Sequence, residues 1–249
     1  MRYLNPLFFL YSLFVQAISK VYIPPVIRPF AYNFFGKNCL KMSSKDFKES
    51  GCELREFNNI GEFFSRPVKI SARPIGKNSI VSPCDGKIIE QGNILDGTII
   101  RVKGTSYNVQ KLLQDTKLSA KHKNGSYVNI YLSPMNYHRF HIPCDGKIIH
   151  LTHIPGRCLP VNKLGRKVKD LYSLNERVIV QISNPEFNVC LAIVGAAAVR
   201  GIKMFKGLGD TVKKGEALGM FELGSSIVLL ADKKISNATK AEVKACSNI

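Results

Sequence analysis

Acidic residues are scarce in this chain: 18 Asp and Glu stand against 36 Lys and Arg in 249 residues, a formal net charge of +18. From Met1 to Lys45 there is none at all, while Arg2, Lys20, Arg28, Lys37, Lys41 and Lys45 are basic. A surface of this sign seeks polyanions, either nucleic acid or anionic lipid. Aromatic-basic interleaving and zinc-finger spacing are both missing, so nucleic acid is not the expected partner. The seven cysteines, at 39, 52, 84, 144, 158, 190 and 246, form no C-x-x-C pair. That argues against a zinc site or a disulfide scaffold and for free thiols in a reducing compartment. No A-x-A cleavage site follows the first apolar stretch and only Arg2 charges its front, so a signal peptide is not expected. What remains, 45% hydrophobic and 22% charged, is the composition of a globular chain with a substantial core.

Asn5 and Pro6 open a helix, and Leu7 to Tyr22 is nearly all apolar until Pro24-Pro25 stops it. Roughly 17 helical residues reach about 25 Å, short of the ~20 that span a bilayer. A second greasy segment, Phe30 to Phe35, ends in Gly36-Lys37. Two short apolar helices with basic ends predict a monotopic anchor lying in the interface with lysines over anionic headgroups, rather than an ordinary buried helical hairpin. We assign residues 1–50 to this membrane-association segment and 51–249 to a catalytic domain. Phe57 to Phe64 reads as a capped short helix. From Ile80 onward short apolar runs alternate with Gly, Pro, Asn and Asp: Lys87–Glu90, Thr98–Val102, Tyr127–Leu132, Lys147–His150, Arg177–Ile182 and Val189–Val199. The fold class expected is α+β, with a β-rich barrel or sandwich behind N-terminal amphipathic helices. Pro83 to Ile89 recurs letter for letter as Pro143 to Ile149, which suggests two related halves. Gly209 to Glu216 is a turn of the kind found in lipoyl- and biotinyl-type carrier domains.

Near the C-terminus the run Phe221 to Leu230 reads as a buried strand interrupted by Gly224-Ser225-Ser226. A glycine there weakens pairing unless something must approach the backbone closely. A serine hydroxyl can attack the carbonyl carbon of a preceding glycine and turn the peptide bond into an ester, given a base; the bland alternative is a bend with two solvent-facing serines. The candidate bases are five histidines, of which His138 and His141 share the loop Leu132 to Pro143 after a predicted strand. Their spacing would suit a metal, but no third ligand is indicated and Arg139 would repel a cation, so no metal is expected. An aspartate would complete the nucleophile, base and orienter set. Asp85 and Asp145 stand in identical loops, and residue reasoning does not choose between them.

The segments Phe63-Phe64-Ser65-Arg66-Pro67, Val81 to Gly86, Val102 to Tyr107, Tyr131 to Pro134, Tyr137 to Pro143, Asn175 to Val178, Val194-Gly195-Ala196 and Leu223 to Ser226 occur in an order that resembles the pyruvoyl-dependent phosphatidylserine decarboxylases over essentially the whole chain. The resemblance implies self-cleavage between Gly224 and Ser225 into a β subunit, 1–224, and an α subunit, 225–249. Asp85, His141 and Ser225 would form the charge-relay set for cleavage. Ser225 would become the pyruvoyl group, form a Schiff base with phosphatidylserine and release phosphatidylethanolamine, with His138 serving the decarboxylation. Position 226 departs from the family's usual Thr but keeps a hydroxyl. The partners implied are the lipid substrate, an anionic membrane surface and the two subunits of one proenzyme, in a monomer or homo-oligomer on the cytoplasmic face of the cell membrane. The rival readings are a membrane-attached serine hydrolase with the same triad and a non-enzymatic lipoyl-type carrier module.

Overall fold

A computed structural model of the chain describes residues 4–99, 107–163, 165–196, 201–221, 225–235 and 241–249. The motif Val102 to Ser106, the residues 197–199 of the last long predicted strand, and Leu223-Gly224 lie outside the described residues.

The N-terminal third is helical. α1 (Leu4–Ser19), α2 (Arg28–Phe34), α3 (Ser44–Lys48) and α4 (Ile60–Phe64) are joined by short turns. α3 begins with a reciprocal Ser43–Asp46 capping box, and Asn59 accepts from the Glu62 amide at 2.9 Å to start α4, so polar side chains satisfy the orphan amides at both starts. These helices share a small aromatic core of Tyr32, Leu40, Met42, Phe57, Phe63 and Phe64, in which Tyr32 stacks on Phe63 at 4.9 Å and donates to the Phe57 carbonyl. The core draws on residues from either side of position 50. α1 has 16 residues, and no described helix is long and apolar enough to cross a membrane.

The remainder is built on one large antiparallel sheet. In chain order its strands and helices are β1 (Gly86–Leu95), β2 (Thr98–Ile99), β3 (Tyr107–Asn108), α5 (Val109–Leu113), α6 (Thr116–Lys121), β4 (Ser126–Leu132), β5 (Arg139–His141) and β6 (Gly146–Ile154). There follow α7 (Leu171–Leu174), β7 (Arg177–Ser183), β8 (Asn188–Val194), β9 (Ile202–Met204), β10 (Thr211–Val212), β11 (Ala217–Phe221), β12 (Ser225–Ala231) and β13 (Glu242–Val243). The main sheet runs β10-β6-β7-β8-β12-β4-β1-β2-β3, with β13 beside β1; β5, β11 and β9 form a second, small sheet. β12 is buried at every position and β8 at all but its first residue, which is why these apolar runs occupy the middle of the sheet.

Of the barrel or sandwich expected, a closed barrel is not formed: the sheet is open, ending in the two-residue strands β10 and β3. Its two halves are nevertheless related, as the repeated heptapeptide suggested. β1 pairs with β4 and β6 with β7 through the same register shift, after Ile88 and after Ile148. Gly86 lies opposite Val243 as Gly146 lies opposite Val212. Both glycines have large positive φ, +155° and +159°, and a Cβ on either would meet a carbonyl oxygen, of Tyr131 or Ser183, at 2.5 or 2.4 Å. Only glycine fits there. The copies also pair with each other, Val81 N–H donating to the Pro143 carbonyl and His141 N–H to the Pro83 carbonyl at 2.9 and 2.7 Å. The order β13-β1-β4-β12 mirrors β10-β6-β7-β8 about an axis between β12 and β8. Outward growth from that axis is what leaves the sheet unclosed.

Candidate active site

Ser225 opens β12 at the centre of the sheet, paired with Leu132 of β4. Six residues further along that side of the chain, the His138 carbonyl accepts from the Phe221 amide at 2.9 Å, and β5 continues beside β11. The loop 133–137 therefore bridges two points held against the two ends of the segment 221–225. This brings the late serine and the histidine loop to one place although they are far apart in sequence.

Ser225 and Ser226 are fully buried, and neither hydroxyl has a hydrogen-bond partner among the described residues. An unmet buried hydroxyl costs about 1–3 kcal/mol and asks for a chemical role. His138 is equally buried, its ring 4.0 Å from that of Phe64. Its Nδ1 lies 2.7 Å from the Asn136 carbonyl, an acceptor only, so the neutral ring carries its proton there. Nε2 keeps a lone pair with no partner. Burial first, and the Arg66 charge after it, push the His138 pKa down to about 3, against the help of the Asn136 carbonyl. His138 is thus a neutral base at neutral pH.

His141 is tied differently. Nδ1 donates to the Gly215 carbonyl at 2.9 Å, so Nε2 accepts from the Tyr137 hydroxyl at 3.1 Å. Burial lowers its pKa, opposed by the Gly215 carbonyl and the Asp85 charge. The carrier-like turn after β10 thus positions His141 through Gly215. Tyr137 is pushed up to about 12, mainly by burial.

Asp85 is 1% exposed, and its hydrogen bonds, like those of the His141 ring, go to other partners. Its two oxygens take Nε and an NH2 of Arg73, each at 2.7 Å; the Ala245 amide adds a bond at 2.8 Å, and Lys244 Nζ stands 3.3 Å away. Arg73 in turn lies over the Tyr137 ring, 5.4 Å from its centroid. Asp85 therefore reaches His141 through its field and through an Arg73–Tyr137 stack. Asp145, its mate in the repeat, accepts from the Lys214 amide at 2.7 Å as Asp85 does from Ala245, but it is exposed and has no arginine. Burial and Arg73 distinguish the two aspartates. Gly224, the other half of the expected scissile bond, lies outside the described residues.

Tyr137, Arg73 and Gly215 were not singled out from sequence; Tyr137 and Gly215 lie in segments that were, Arg73 lies in the connection between Pro67 and Val81, and their roles depend on contacts between distant segments. The remaining matched segments hold the frame. Asn175 donates to the Leu159 and Gly195 carbonyls, and Arg177, fully buried, donates to the carbonyls of Lys111, Leu112, Ser173 and Asn175. Arg139 donates to the Ser65 carbonyl at 2.9 Å, fastening the histidine loop to the end of α4.

A family model for phosphatidylserine decarboxylase matches residues 60–248. The phosphatidylserine decarboxylase proenzyme of Brevibacillus brevis is 37% identical over 199 residues, covering 71% of either chain. That of Vibrio parahaemolyticus is 38% identical over 205 residues, covering 72% of either. That of Anoxybacillus flavithermus is 32% identical over 233 residues, 91% of this chain and 88% of its own. With the serine, the histidine loop and the buried aspartate gathered at one end of the sheet and a match over most of its length, the chain belongs to the phosphatidylserine decarboxylase family.

Proposed function

We propose that Ser225, His141, Asp85 and His138 carry this family's reaction in the present chain, and that its N-terminal helices seat it on a membrane. The activity is the decarboxylation of phosphatidylserine to phosphatidylethanolamine, and the cofactor is a pyruvoyl group that the proenzyme makes from its own serine. The observation that carries the assignment is the Ser225 hydroxyl, buried at the central strand with no partner among the described residues, as a nucleophile awaiting a base would be.

In self-cleavage His141, released by Tyr137 and backed by the Asp85 charge, takes the Ser225 proton at Nε2. The oxygen attacks the Gly224 carbonyl carbon, the C–N bond breaks, and the acyl group passes from nitrogen to oxygen. Loss of the Cα proton and rupture of the Cβ–Oγ bond then release the Gly224 carboxylate. The dehydroalanine left at the new N-terminus takes up water and loses ammonia to give the ketone. Gly224 leaves room for the attack because it has no Cβ. The ketone supplies an electrophile for the substrate's amine and an electron sink for CO₂ loss. His138, dry and with a free Nε2, is the group proposed to manage the proton that replaces CO₂.

Among the described residues ten of the seventeen exposed large hydrophobic residues fall between Leu10 and Phe34, with Val26 91%, Phe30 79% and Phe14 64% exposed. Lys20, Lys37 and Lys41 are exposed around them. Such a patch supports interfacial docking, which spares a diacyl lipid the cost of leaving its bilayer, about 0.8 kcal/mol per exposed CH₂. None of the seven cysteines is in a disulfide, which supports the reducing, cytoplasmic side of the membrane.

Ser225→Ala tests the assignment. It should give a single uncut chain without decarboxylase activity; activity in that variant would remove Ser225 from the chemistry. An uncut wild-type chain that hydrolysed esters would favour the serine hydrolase.

A further inference from the structure

Among the described residues four arginines are buried: Arg28, Arg66, Arg73 and Arg177. Three are engaged through their whole guanidinium. Arg28 donates to the Ile23 and Arg55 carbonyls and to Asn58, Arg73 to Asp85, Glu49 and the Ala72 carbonyl, and Arg177 to four carbonyls. Arg66, 3% exposed, is the exception. Its guanidinium makes one long bond, 3.4 Å to the Phe63 carbonyl, and lies 5.3 Å over the Phe63 ring; Nε has no partner. No carboxylate is within ion-pairing distance of it among the described residues, because the nearby acids are claimed elsewhere. Asp46 closes its capping box with Ser43, and Glu49 and Asp85 are held by Arg73 and Lys244. A buried guanidinium with open donors is costly unless an anion completes it.

Arg66 lines a cavity of about 300 Å³ in which Arg73, Lys87 and Lys244 stand with it against the carboxylates of Asp46, Glu49, Asp85 and Glu242, and one wall is made by Tyr131, Ser133, Asn136 and Tyr137. That wall is the loop bridging Ser225's partner Leu132 to His138, and the Arg66 charge is felt at the His138 ring. The cavity is at the small end of the range for ligand sites, of the size of a headgroup rather than a whole lipid.

We propose that Arg66 is the receptor for the headgroup phosphodiester of the substrate, holding it in this cavity while the amine and carboxylate of the serine reach the Ser225 site. This deepens the decarboxylase reading and rests on it. Of the two anions on the headgroup, the phosphodiester fits the role. A guanidinium on the carboxylate would stabilise the charge that must be lost with CO₂ and so hold the ground state down. The phosphodiester keeps its charge throughout, so its pairing with Arg66 is felt as uniform binding, the fork donating to two oxygens. Arg66 then acts on KM rather than on kcat.

The test uses full-length Arg66→Ala and Arg66→Lys proteins, with self-cleavage scored first as a report on the fold around Ser225. Decarboxylation is then measured on a soluble short-chain phosphatidylserine, with glycerophosphoethanolamine, which has the phosphodiester but no carboxylate, as inhibitor. The expected result is complete cleavage in both variants and a KM for Arg66→Ala raised roughly 10- to 100-fold, the worth of a charge-assisted contact, with kcat changed less than about threefold. Inhibition by glycerophosphoethanolamine should weaken by the same factor, and Arg66→Lys should recover part of the loss. An unchanged KM overturns the proposal, as does a raised KM with undiminished inhibition, which would put the carboxylate on Arg66. Two uncut variants would place Arg66 in proenzyme folding instead and overturn it too. A wild-type chain that neither cuts itself nor decarboxylates would sink the broader reading, and that is visible before any Arg66 variant is made.

Discussion

His138 and His141 are separated by two residues, yet their rings meet different chemistry. Each gives its Nδ1 proton to a carbonyl; what differs is Nε2, free on His138 and occupied by the Tyr137 hydroxyl on His141. On the roles proposed, His141→Ala should leave the chain uncut, whereas His138→Gln should cut normally and lose decarboxylation by about 100-fold or more, the scale of a lost acid-base group. An uncut His138→Gln chain, seen by denaturing electrophoresis, would exchange the two roles. His138 also has a signature in stability. Its folded pKa of about 3 lies below the ~6.5 of an unfolded histidine, so between those values the unfolded chain binds the extra proton. Stability contributed by keeping the ring neutral is whole above about pH 6.5 and drains away as the pH falls, by up to about 1.4 kcal/mol per unit. In an uncut Ser225→Ala background, His138→Gln should flatten the fall of the urea midpoint from about pH 7 to pH 5. An equally steep fall with and without the imidazole would contradict its burial as a neutral base.

Among the elements, the helices before the sheet and the strands within it were legible to different degrees. β4 and β7 could be read nearly to the residue, because their apolar runs fill a buried place in the sheet and stop at turn residues. β1 and β6 run on past the predicted Glu90 and His150 to Leu95 and Ile154, since after the register shift most of their residues are only half-buried or exposed and the apolar signal fades. α1, α2 and α4 were legible, as two greasy helices and a capped short one, but the packing between them was not. The aromatic core beneath them depends on Tyr32 meeting Phe57 and Phe63, a contact no local pattern encodes. What that core leaves outside is the exposed apolar patch, and this is where the anchor is tested. Phe14→Glu with Phe30→Glu should reduce sedimentation with anionic liposomes roughly tenfold or more while leaving self-cleavage complete. Unchanged sedimentation would refute docking through α1 and α2.

At the scale of the molecule, the heptapeptide echo was a true signal of two halves, and the architecture drawn from it was half right. A repeat states that two substructures share a path; it does not state where the axis between them lies. Here the axis passes between β8 and β12, so the copies extend outward as one open sheet instead of curling shut. The same arrangement explains why Asp85 and Asp145 looked alike in sequence. They are alike in backbone, each accepting an amide from the strand-edge turn beside it, and differ only in what the N-terminal part of the chain brings to one of them. Arg73 and the helical segment cover the first copy, and with them the site becomes a dry cluster around Ser225. The second copy remains an exposed turn. On the roles proposed, the function follows from that asymmetry, since one half would carry the nucleophile, both histidines and the buried carboxylate, and the other would supply the frame. The most direct test is denaturing mass spectrometry of the purified wild-type protein. Two fragments divided between Gly224 and Ser225, the smaller with its amino terminus replaced by a carbonyl, are the predicted result; one intact 27.7 kDa chain that nonetheless makes phosphatidylethanolamine would contradict it.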